Sequence, residues 1–345
     1  MKAFDVKSLT LSELQDRLKD IGLPKFRAGQ LYSWLHQKGA QSYDEMSDLS
    51  KELRNSLSFH LPIFNFEIVK KQISKVDGTT KFLFRLHDGE LIESVLMQYK
   101  YGYSLCISTQ VGCRMGCKFC ATAVGGLIRN LNPSEMLNQI YMIQRDQNIR
   151  ISHIVLMGMG EPLDNFKNVM RFIELVSDEN GLNIGMRNIS LSTCGIVPAI
   201  NLLSERHLQL TLSVSIHAPN NEIRSQIMPV NNKYNIEYLL EACGKYAKIT
   251  SRRISFEYTM IEGLNDSAEC AVELAARVKG ILCHVNLIQT NDVTESIYKR
   301  STMQKIEIFE KVLADHGINV TVRRSLGADI DASCGQLRRR IQNSY

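Results

Sequence analysis

The sequence lacks the features that mark secreted, membrane-spanning and fibrous proteins. Its N-terminus has no apolar segment of the kind that a secretory signal needs. No stretch approaches the roughly 18 consecutive apolar residues that cross a bilayer, and we find neither low-complexity segments nor internal repeats. The nine cysteines are odd in number and unevenly spaced, which argues against a disulfide framework. We therefore expect a cytoplasmic protein with reduced thiols and no membrane contact.

The bulk composition is that of an ordinary globular protein, with 44% hydrophobic and 22% charged residues. At 345 residues the chain is longer than most single domains, so it has room for one α/β barrel with an appendage or for two domains. The net charge of +5 is modest but locally concentrated. Short basic runs can contact phosphates or form a solvated face. These runs are Lys70–Lys71, Arg252–Arg253, Arg323–Arg324 and Arg338–Arg340.

The periodicity of apolar residues changes twice along the chain. Helical spacing dominates the beginning, and strict alternation follows from Phe64 to Thr109 with turn signals at Asp77-Gly78 and Asp88-Gly89. Strands and helices then alternate as far as Arg323, which predicts about six βα units around a parallel sheet. The fold class expected is α/β, a partial (β/α)6 barrel with a small helical N-terminal domain. The boundaries predicted are 1–62 for the helices, 63–100 for a β-meander, 101–327 for the barrel and 328–345 for a C-terminal segment.

Three cysteines, Cys113, Cys117 and Cys120, lie at the spacing C-x3-C-x2-C directly after the first predicted barrel strand. Active sites of such barrels lie at the C-terminal ends of the strands. Structural zinc wants four ligands, and the nearest further cysteine, Cys106, is on a predicted strand. Iron–sulfur clusters are normally held by four thiolates, so three would leave one iron open to a ligand. Three packing cysteines or a zinc site with a remote ligand are the alternatives; the spacing favours the cluster.

This motif resembles that of the radical S-adenosylmethionine superfamily. Within it, the chain resembles the methyltransferases that modify C2 of adenosine in 23S ribosomal RNA and in certain tRNAs, over about Phe26 to Arg338. The paralogues that methylate C8 typically have Ala at the position of Pro162 and an I-N-D-R-Y-P type segment where this chain has Val230–Asn235. Both differences favour C2. The resemblance rests on Ser108–Cys113 (S-T-Q-V-G-C), Gly158–Leu163 (G-M-G-E-P-L) and Asp329–Leu337 (D-I-D-A-S-C-G-Q-L).

The resemblance implies a six-unit partial barrel whose N-terminal helical domain is a candidate for RNA binding. It also implies a 4Fe-4S cluster, S-adenosylmethionine, 23S rRNA and tRNA as substrates, an electron donor such as flavodoxin or ferredoxin, and a monomer. An iron–sulfur RNA-binding regulator without turnover is the alternative from another class. That alternative leaves Cys106 and Cys334 unexplained.

The resemblance assigns Cys113, Cys117 and Cys120 to three irons of the cluster. From the residues alone, Gly158–Glu161 is also compatible with a plain turn and a surface Glu. A Ser or Asn at a strand end is often a cap or turn residue, and a lone His is often structural. The cofactor-binding residues implied are Gly160, Glu161, Ser192, Ser215, Ile216, His217 and Asn291.

Three further residues carry the implied chemistry. Cys334 is methylated by a first S-adenosylmethionine, and a radical from a second takes hydrogen from that methyl group. The resulting carbon radical adds to C2 and joins protein to RNA. Cys106 then closes a transient disulfide with Cys334, and Glu93 accepts the C2 proton. From the residues alone, Cys106 is compatible with a core position, Cys334 with an inert thiol, and Glu93 with the solvent face of its strand.

Overall fold

The structure is a computed structural model that describes residues 5–289, 298–333 and 335–337. The α-helices of the described part are α1 (Leu11–Asp20), α2 (Phe26–Tyr32), α3 (Lys51–His60), α4 (Pro133–Gln147), α5 (Phe166–Ser177), α6 (Val197–Ser204), α7 (Asn221–Ile227), α8 (Ile236–Thr250), α9 (Ala268–Val278) and α10 (Met303–Asp315). The strands are β1 (Glu67–Ile73), β2 (Thr80–Arg85), β3 (Leu91–Tyr99), β4 (Gly102–Cys106), β5 (Gln110–Gly112), β6 (Leu127–Asn130), β7 (Ile151–Leu156), β8 (Ile189–Thr193), β9 (Thr211–Ser215), β10 (Ile254–Met260), β11 (Cys283–Gln289) and β12 (Val320–Arg323).

Local capping determines where the first N-terminal helix begins, and contacts with the barrel fix the position of the N-terminal helices. Helix α1 begins with a capping box, in which the Thr10 hydroxyl accepts from the Glu13 N–H and the Glu13 carboxylate accepts from the Thr10 N–H. That carboxylate also receives two hydrogen bonds of 2.7 Å from Arg171 on α5. The buried ring of His36 contacts the hydroxyl of Tyr141 on α4 at 2.8 Å. The N-terminal helices therefore pack against the first two barrel helices.

One ten-stranded sheet forms the centre of the molecule, in the order β1-β2-β3-β4-β7-β8-β9-β10-β11-β12. Strands β1 to β4 pair antiparallel, and every later pair is parallel. Helices connect the parallel strands, as βαβ units require. The order does not close on itself, so the barrel is partial. The predicted fold class, with its β-meander, is confirmed.

Three elements near the site were not predicted. Strands β5 and β6 form a separate two-stranded ribbon on either side of the cysteine loop, and helix α7 precedes α8. Each of these elements has seven residues or fewer, which is too short for a period to be recognised. Among the described residues, no helix combines the length and the apolar character needed to cross a bilayer.

Candidate active site

The three clustered cysteines lie on the loop that joins β5 to β6. The loop closes on itself at its base, where the Cys113 N–H donates to the Gly126 carbonyl at 2.9 Å. Gly112, at φ +76°, makes this closure possible, because a Cβ there would lie 1.9 Å from the Gly126 oxygen. The cysteine spacing thus belongs to one tight loop.

The cysteine loop is held from two other parts of the chain. The Lys118 N–H donates to the carbonyl of Ile227, at the end of α7, at 2.9 Å. The Ala121 N–H donates to the Gly335 carbonyl at 2.8 Å, and the Thr122 hydroxyl donates to the Leu337 carbonyl at 2.8 Å. The loop is therefore bound directly to the C-terminal segment, more than 200 residues away in sequence.

A central cavity opens where the cysteine loop meets the C-terminal ends of the parallel strands. Cys113, Cys117 and Cys120 line it. Of the predicted cofactor residues, the structure brings five to the same cavity: Gly160, Glu161, Ser192, Ser215 and His217. Ile216 is fully buried in the core and is not among the lining residues. Asn291 lies outside the described residues.

Burial raises the pKa of two of the clustered thiols of the central cavity. Burial raises the pKa of Cys113 to about 12, with a smaller contribution from the Glu161 carboxylate. Burial also raises the pKa of Cys117. A metal ion deprotonates a coordinating thiol outright. Among the described residues, no three His, Cys, Asp or Glu side chains are close enough together to bind one metal ion. An iron–sulfur cluster does not need such an arrangement, because each thiolate binds a different iron.

Glu161 is a buried carboxylate and not a surface residue of a turn. One oxygen accepts from the Leu163 N–H at 2.9 Å, and the other accepts from the Cys194 N–H at 2.7 Å. Burial raises its pKa, and these hydrogen bonds oppose the rise. Because each carboxylate oxygen has a second lone pair, Glu161 can still accept from a cationic group in the cavity.

The glycines of the G-M-G-E segment are required by contacts within the protein. A Cβ on Gly158 would lie 2.6 Å from the Ile107 carbonyl oxygen. A Cβ on Gly160, at φ +105°, would lie 2.6 Å from the Cβ of Gln110. The Gln110 amide oxygen also accepts from the Glu161 N–H at 2.8 Å. The chain from Ile107 to the first residue of β5 therefore places Glu161.

His217 combines a structural contact with a place on the cavity wall. Its Nδ1 accepts from the Thr259 N–H at 2.9 Å, which leaves Nε2 to carry the proton of the neutral ring. Burial, together with the positive charge of Arg224, lowers its pKa from 6.5 to about 3. The ring packs edge-on against Phe119 of the cysteine loop at 4.9 Å. His217 is therefore a neutral donor in this cavity.

Arg224 on α7 is a site residue that the sequence reasoning missed. It is fully buried and donates to the carbonyls of Cys194 at 2.8 Å and Ile216 at 3.1 Å, and to the Asn231 side chain at 2.9 Å. These carbonyls directly follow β8 and β9, so Arg224 joins the ends of two strands, and Cys194 and Ser215 at those ends line the cavity. It also places a positive charge near the Cys117 thiol. Its short helix gives no sequence signal for burial.

Glu257 on β10 is a second residue that was missed. It is buried and lines the central cavity. One carboxylate oxygen accepts from Ser255 at 2.9 Å and from Asn286 at 3.1 Å. The other has no hydrogen-bond partner among the described residues and lies 3.7 Å from the Arg323 guanidinium. The sequence did contain a signal for this site residue, because Glu257 is a charged residue within a mostly apolar predicted strand.

A second cavity adjoins the first, and Arg323 lines both. Cys106 lines this adjoining cavity together with Ser333 and Leu337. Cys334 lies outside the described residues. Its two sequence neighbours line different cavities. Ser333 lines the adjoining cavity, together with Cys106, and Gly335 lines the central cavity, together with the clustered cysteines.

Glu93 is buried, so the solvent-face alternative for this residue is wrong. Its carboxylate lies 3.3 Å from the ammonium of Lys81 on β2. On β3, Val95 pairs with Cys106 of β4. Since side chains alternate along a strand, Glu93, Val95 and Cys106 lie on one face of the sheet. The two predicted residues are thus brought together.

Comparison with known proteins gives the family. Residues 107–275 match the radical SAM superfamily, and residues 4–63 match the ribosomal RNA large subunit methyltransferase N-terminal domain. A Lachnospira eligens protein named probable dual-specificity RNA methyltransferase RlmN is 52% identical over 97% of this chain and 95% of its own length. The chain belongs to the RlmN family of radical S-adenosylmethionine RNA methyltransferases. A Bacillus cereus protein of the same name is 50% identical over 98% of the chain and 94% of its own length.

A solved structure supports the RlmN family assignment. The radical SAM methyltransferase from Sphaerobacter thermophilus is 43% identical and superposes with a TM-score of 0.93, covering 97% of this chain and 99% of its own. Membership in the RlmN family makes the chain a methyltransferase, which excludes the regulator alternative. The superfamily uses S-adenosylmethionine and an iron–sulfur cluster. The three cysteines around one cavity fit that cluster.

Proposed function

We propose that the chain methylates C2 of adenosine in 23S rRNA, at the peptidyl-transferase centre, and in tRNA, at the adenosine 3′ of the anticodon, in the cytoplasm. One observation carries the proposal. The clustered cysteines and Gly335 line one cavity, and Cys106 and Ser333 line the cavity beside it. The thiols proposed for the two kinds of cysteine chemistry therefore lie at neighbouring cavities, and this arrangement supports the proposal.

The cofactors of this function are a 4Fe-4S cluster and S-adenosylmethionine. Cys113, Cys117 and Cys120 would hold three irons and leave the fourth open. Glu161 would accept a hydrogen bond from the cofactor's amino group. The cluster supplies an electron, and S-adenosylmethionine supplies the methyl group and, when cleaved reductively, a radical. Ser192, Ser215, Ile216, His217, Asn291 and Gly160 complete the proposed cofactor site.

The chain's own residues carry the remaining steps. Cys334 accepts a methyl group on sulfur and becomes joined through that carbon to adenine C2; this role rests on the D-I-D-A-S-C-G-Q-L motif. That carbon loses one hydrogen atom before it joins C2, and the adduct then gives up one electron, returned to the cluster, and the C2 proton, accepted by Glu93. The Cys106 thiolate bonds to the Cys334 sulfur while the bond from Cys334 to the transferred carbon breaks. The carbon keeps the electron pair of that bond and takes up a proton, so a methyl group remains on the base, and a thiol reductant reopens the disulfide before the next turnover.

The RNA is proposed to bind across the N-terminal segment, 1–62, and the barrel core, 101–327, with the meander, 63–100, between them. The match of residues 4–63 to a ribosomal RNA methyltransferase domain supports this. Arg323 and Arg324 lie at the adjoining cavity, where a phosphate would meet positive charge. The C-terminal segment, 328–345, carries Cys334 and a basic tail. A flavodoxin or ferredoxin is the proposed electron donor, and the chain is proposed to act as a monomer.

Product analysis tests this function directly. The protein, reconstituted with iron and sulfide without oxygen, is incubated with S-adenosylmethionine, a reductant, and 23S rRNA or tRNA. Mass spectrometry of the nucleosides should show 2-methyladenosine. A product that co-elutes with 8-methyladenosine, or no methylated adenosine at all, contradicts the proposal.

A cysteine variant tests the release step. Cys106→Ala should accumulate a protein–RNA adduct that survives a denaturing gel. Cys270→Ala is the matched control, because this half-buried cysteine of α9 lines neither cavity. Clean turnover by Cys106→Ala removes the proposed role of that thiol.

A further inference from the structure

Lys81 is a nearly buried lysine that joins two separate parts of the molecule. Its ammonium lies 3.3 Å from the Glu93 carboxylate and donates to the Asp331 carbonyl at 3.1 Å. The Lys81 and Glu93 side chains are only 7% and 8% exposed. Removing such ions from water costs several kcal/mol each. Residues that stay charged in such a position need favourable contacts to compensate.

The register of the sheet puts Lys81 on the reacting side. Lys81 pairs with Val95, and Val95 pairs with Cys106 on the next strand. Directly paired residues project to the same face. Glu93, two residues before Val95, shares this face. Lys81, Glu93 and Cys106 therefore lie on one face, which also lines the adjoining cavity through Val95 and Cys106.

The other contact of Lys81 lies on the segment that carries Cys334. This segment docks on the turn between β1 and β2, where the Gly327 N–H donates to Asp77 at 2.9 Å and the Lys75 N–H donates to Asp329 at 3.0 Å. Lys81 adds a third contact, at Asp331. That contact is three residues before Cys334 in the sequence, so it is the nearest of these anchors to the proposed methyl carrier.

We propose that Lys81 is a positioning residue for the release step. Its ammonium orients the Glu93 carboxylate and, through the Asp331 carbonyl, fixes the main chain that leads to Cys334. It thereby keeps the distance between Glu93, the proton acceptor, and Cys334, the methyl carrier, constant while Cys106 releases the RNA. The inference rests on the proposed function, since it concerns the step in which Glu93 takes the C2 proton.

The test follows a single turnover of the iron-loaded protein with RNA. Lys81→Met removes the charge and the donor, Lys81→Gln keeps a donor, and Lys81→Arg keeps both. Arg85→Met is the matched control, because Arg85 is on the same strand and face and forms an exposed ion pair with Glu67. Iron content and S-adenosylmethionine binding are measured first. The protein–RNA adduct is then followed on denaturing gels, and methylated adenosine by mass spectrometry.

Lys81→Met should form the adduct and release it at least about tenfold more slowly than the wild type, as Glu93→Gln should. Lys81→Arg should recover most of the release rate, and Arg85→Met should match the wild type. Release at the wild-type rate by an iron-loaded Lys81→Met overturns the inference. If that variant does not load iron, Lys81→Gln is judged by the same criterion.

The two proposals fail in different ways. If the wild type makes no 2-methyladenosine, the proposed function fails. If the wild type turns over and Glu93→Gln retains the adduct while Lys81→Met clears it, only the role of Lys81 fails. Lower thermal stability of Lys81→Met with unaltered release has the same meaning, because it reduces Lys81 to a structural residue.

Discussion

Replacing Gly160 by Ala tests whether close packing against Gln110, the first residue of β5, places Glu161. The glycine has a φ of +105°, which is unfavourable for residues with a Cβ and costs about 1–3 kcal/mol. The new Cβ would also lie 2.6 Å from the Gln110 Cβ and 2.8 Å from its backbone nitrogen. Forcing such overlap costs about a further 1–3 kcal/mol. We therefore expect Gly160→Ala to lose roughly 2–6 kcal/mol of stability.

Three other glycines separate the two causes. Gly158→Ala has the overlap alone, with the Ile107 carbonyl 2.6 Å away. Gly263→Ala has the positive φ of +72° alone, with no atom near its Cβ, and Gly185→Ala has neither. The expected order of destabilisation is Gly160 first, then Gly158 and Gly263, with Gly185 close to the wild type.

Thermal unfolding of the iron-loaded protein without oxygen measures this order. For a chain of 345 residues the unfolding entropy is about 0.7 kcal/mol/K, so Gly160→Ala should lower Tm by roughly 3–8 °C. Binding of S-adenosylmethionine should weaken at least about tenfold in the same variant, because Glu161 would shift. A Tm equal to that of Gly185→Ala, with cofactor binding retained, would refute the argument.

Two further predictions concern buried basic side chains. Arg224→Leu leaves the buried carbonyls of Cys194 and Ile216 without this donor. The free energy of unfolding, measured in urea, should therefore fall by roughly 2–6 kcal/mol. An unchanged urea midpoint would contradict the role assigned to Arg224. The pKa of His217 is about 3 in the folded chain, whereas its ordinary value is 6.5. Between these two pH values the unfolded chain binds more protons than the folded chain. The free energy of unfolding therefore decreases as the pH falls below 6.5. His217→Gln should therefore lose roughly 2 kcal/mol less than the wild type between pH 7 and pH 5, and parallel pH profiles would exclude this.

Local patterns predicted the elements that carry the site. The alternation from Phe64 onward appears as β1 to β4, and the turns at Asp77-Gly78 and Asp88-Gly89 contain glycines at φ +75° and +85°. The cysteine loop follows the first barrel strand, as expected. These features are local, because the period of apolar residues and the conformational demands of turns act within a few residues.

The environment of single side chains was not predictable in the same way. Six consecutive residues of β3, from Ile92 to Met97, are buried, so both faces of the strand are covered there. Alternation therefore did not say whether Glu93 faces solvent. Its burial depends on β2 and on the C-terminal segment that contacts Lys81. Arg224 gave no signal, and the charge of Glu257 inside an apolar strand did not show what the side chain contacts, because a buried charge is held by partners from distant strands and loops.

The sequence by itself determined that three thiols lie together on one short loop, because they are only three and four residues apart, and it determined the order along the chain of the strands that carry the remaining residues. Tertiary structure alone decided which groups meet. It placed Glu93 and Cys106 on one sheet face, Glu161 against the Cys194 N–H, and the C-terminal segment against the cysteine loop. The physical reason is that a motif is defined by spacing along the chain, whereas burial and hydrogen bonding depend on residues that folding brings together from far apart.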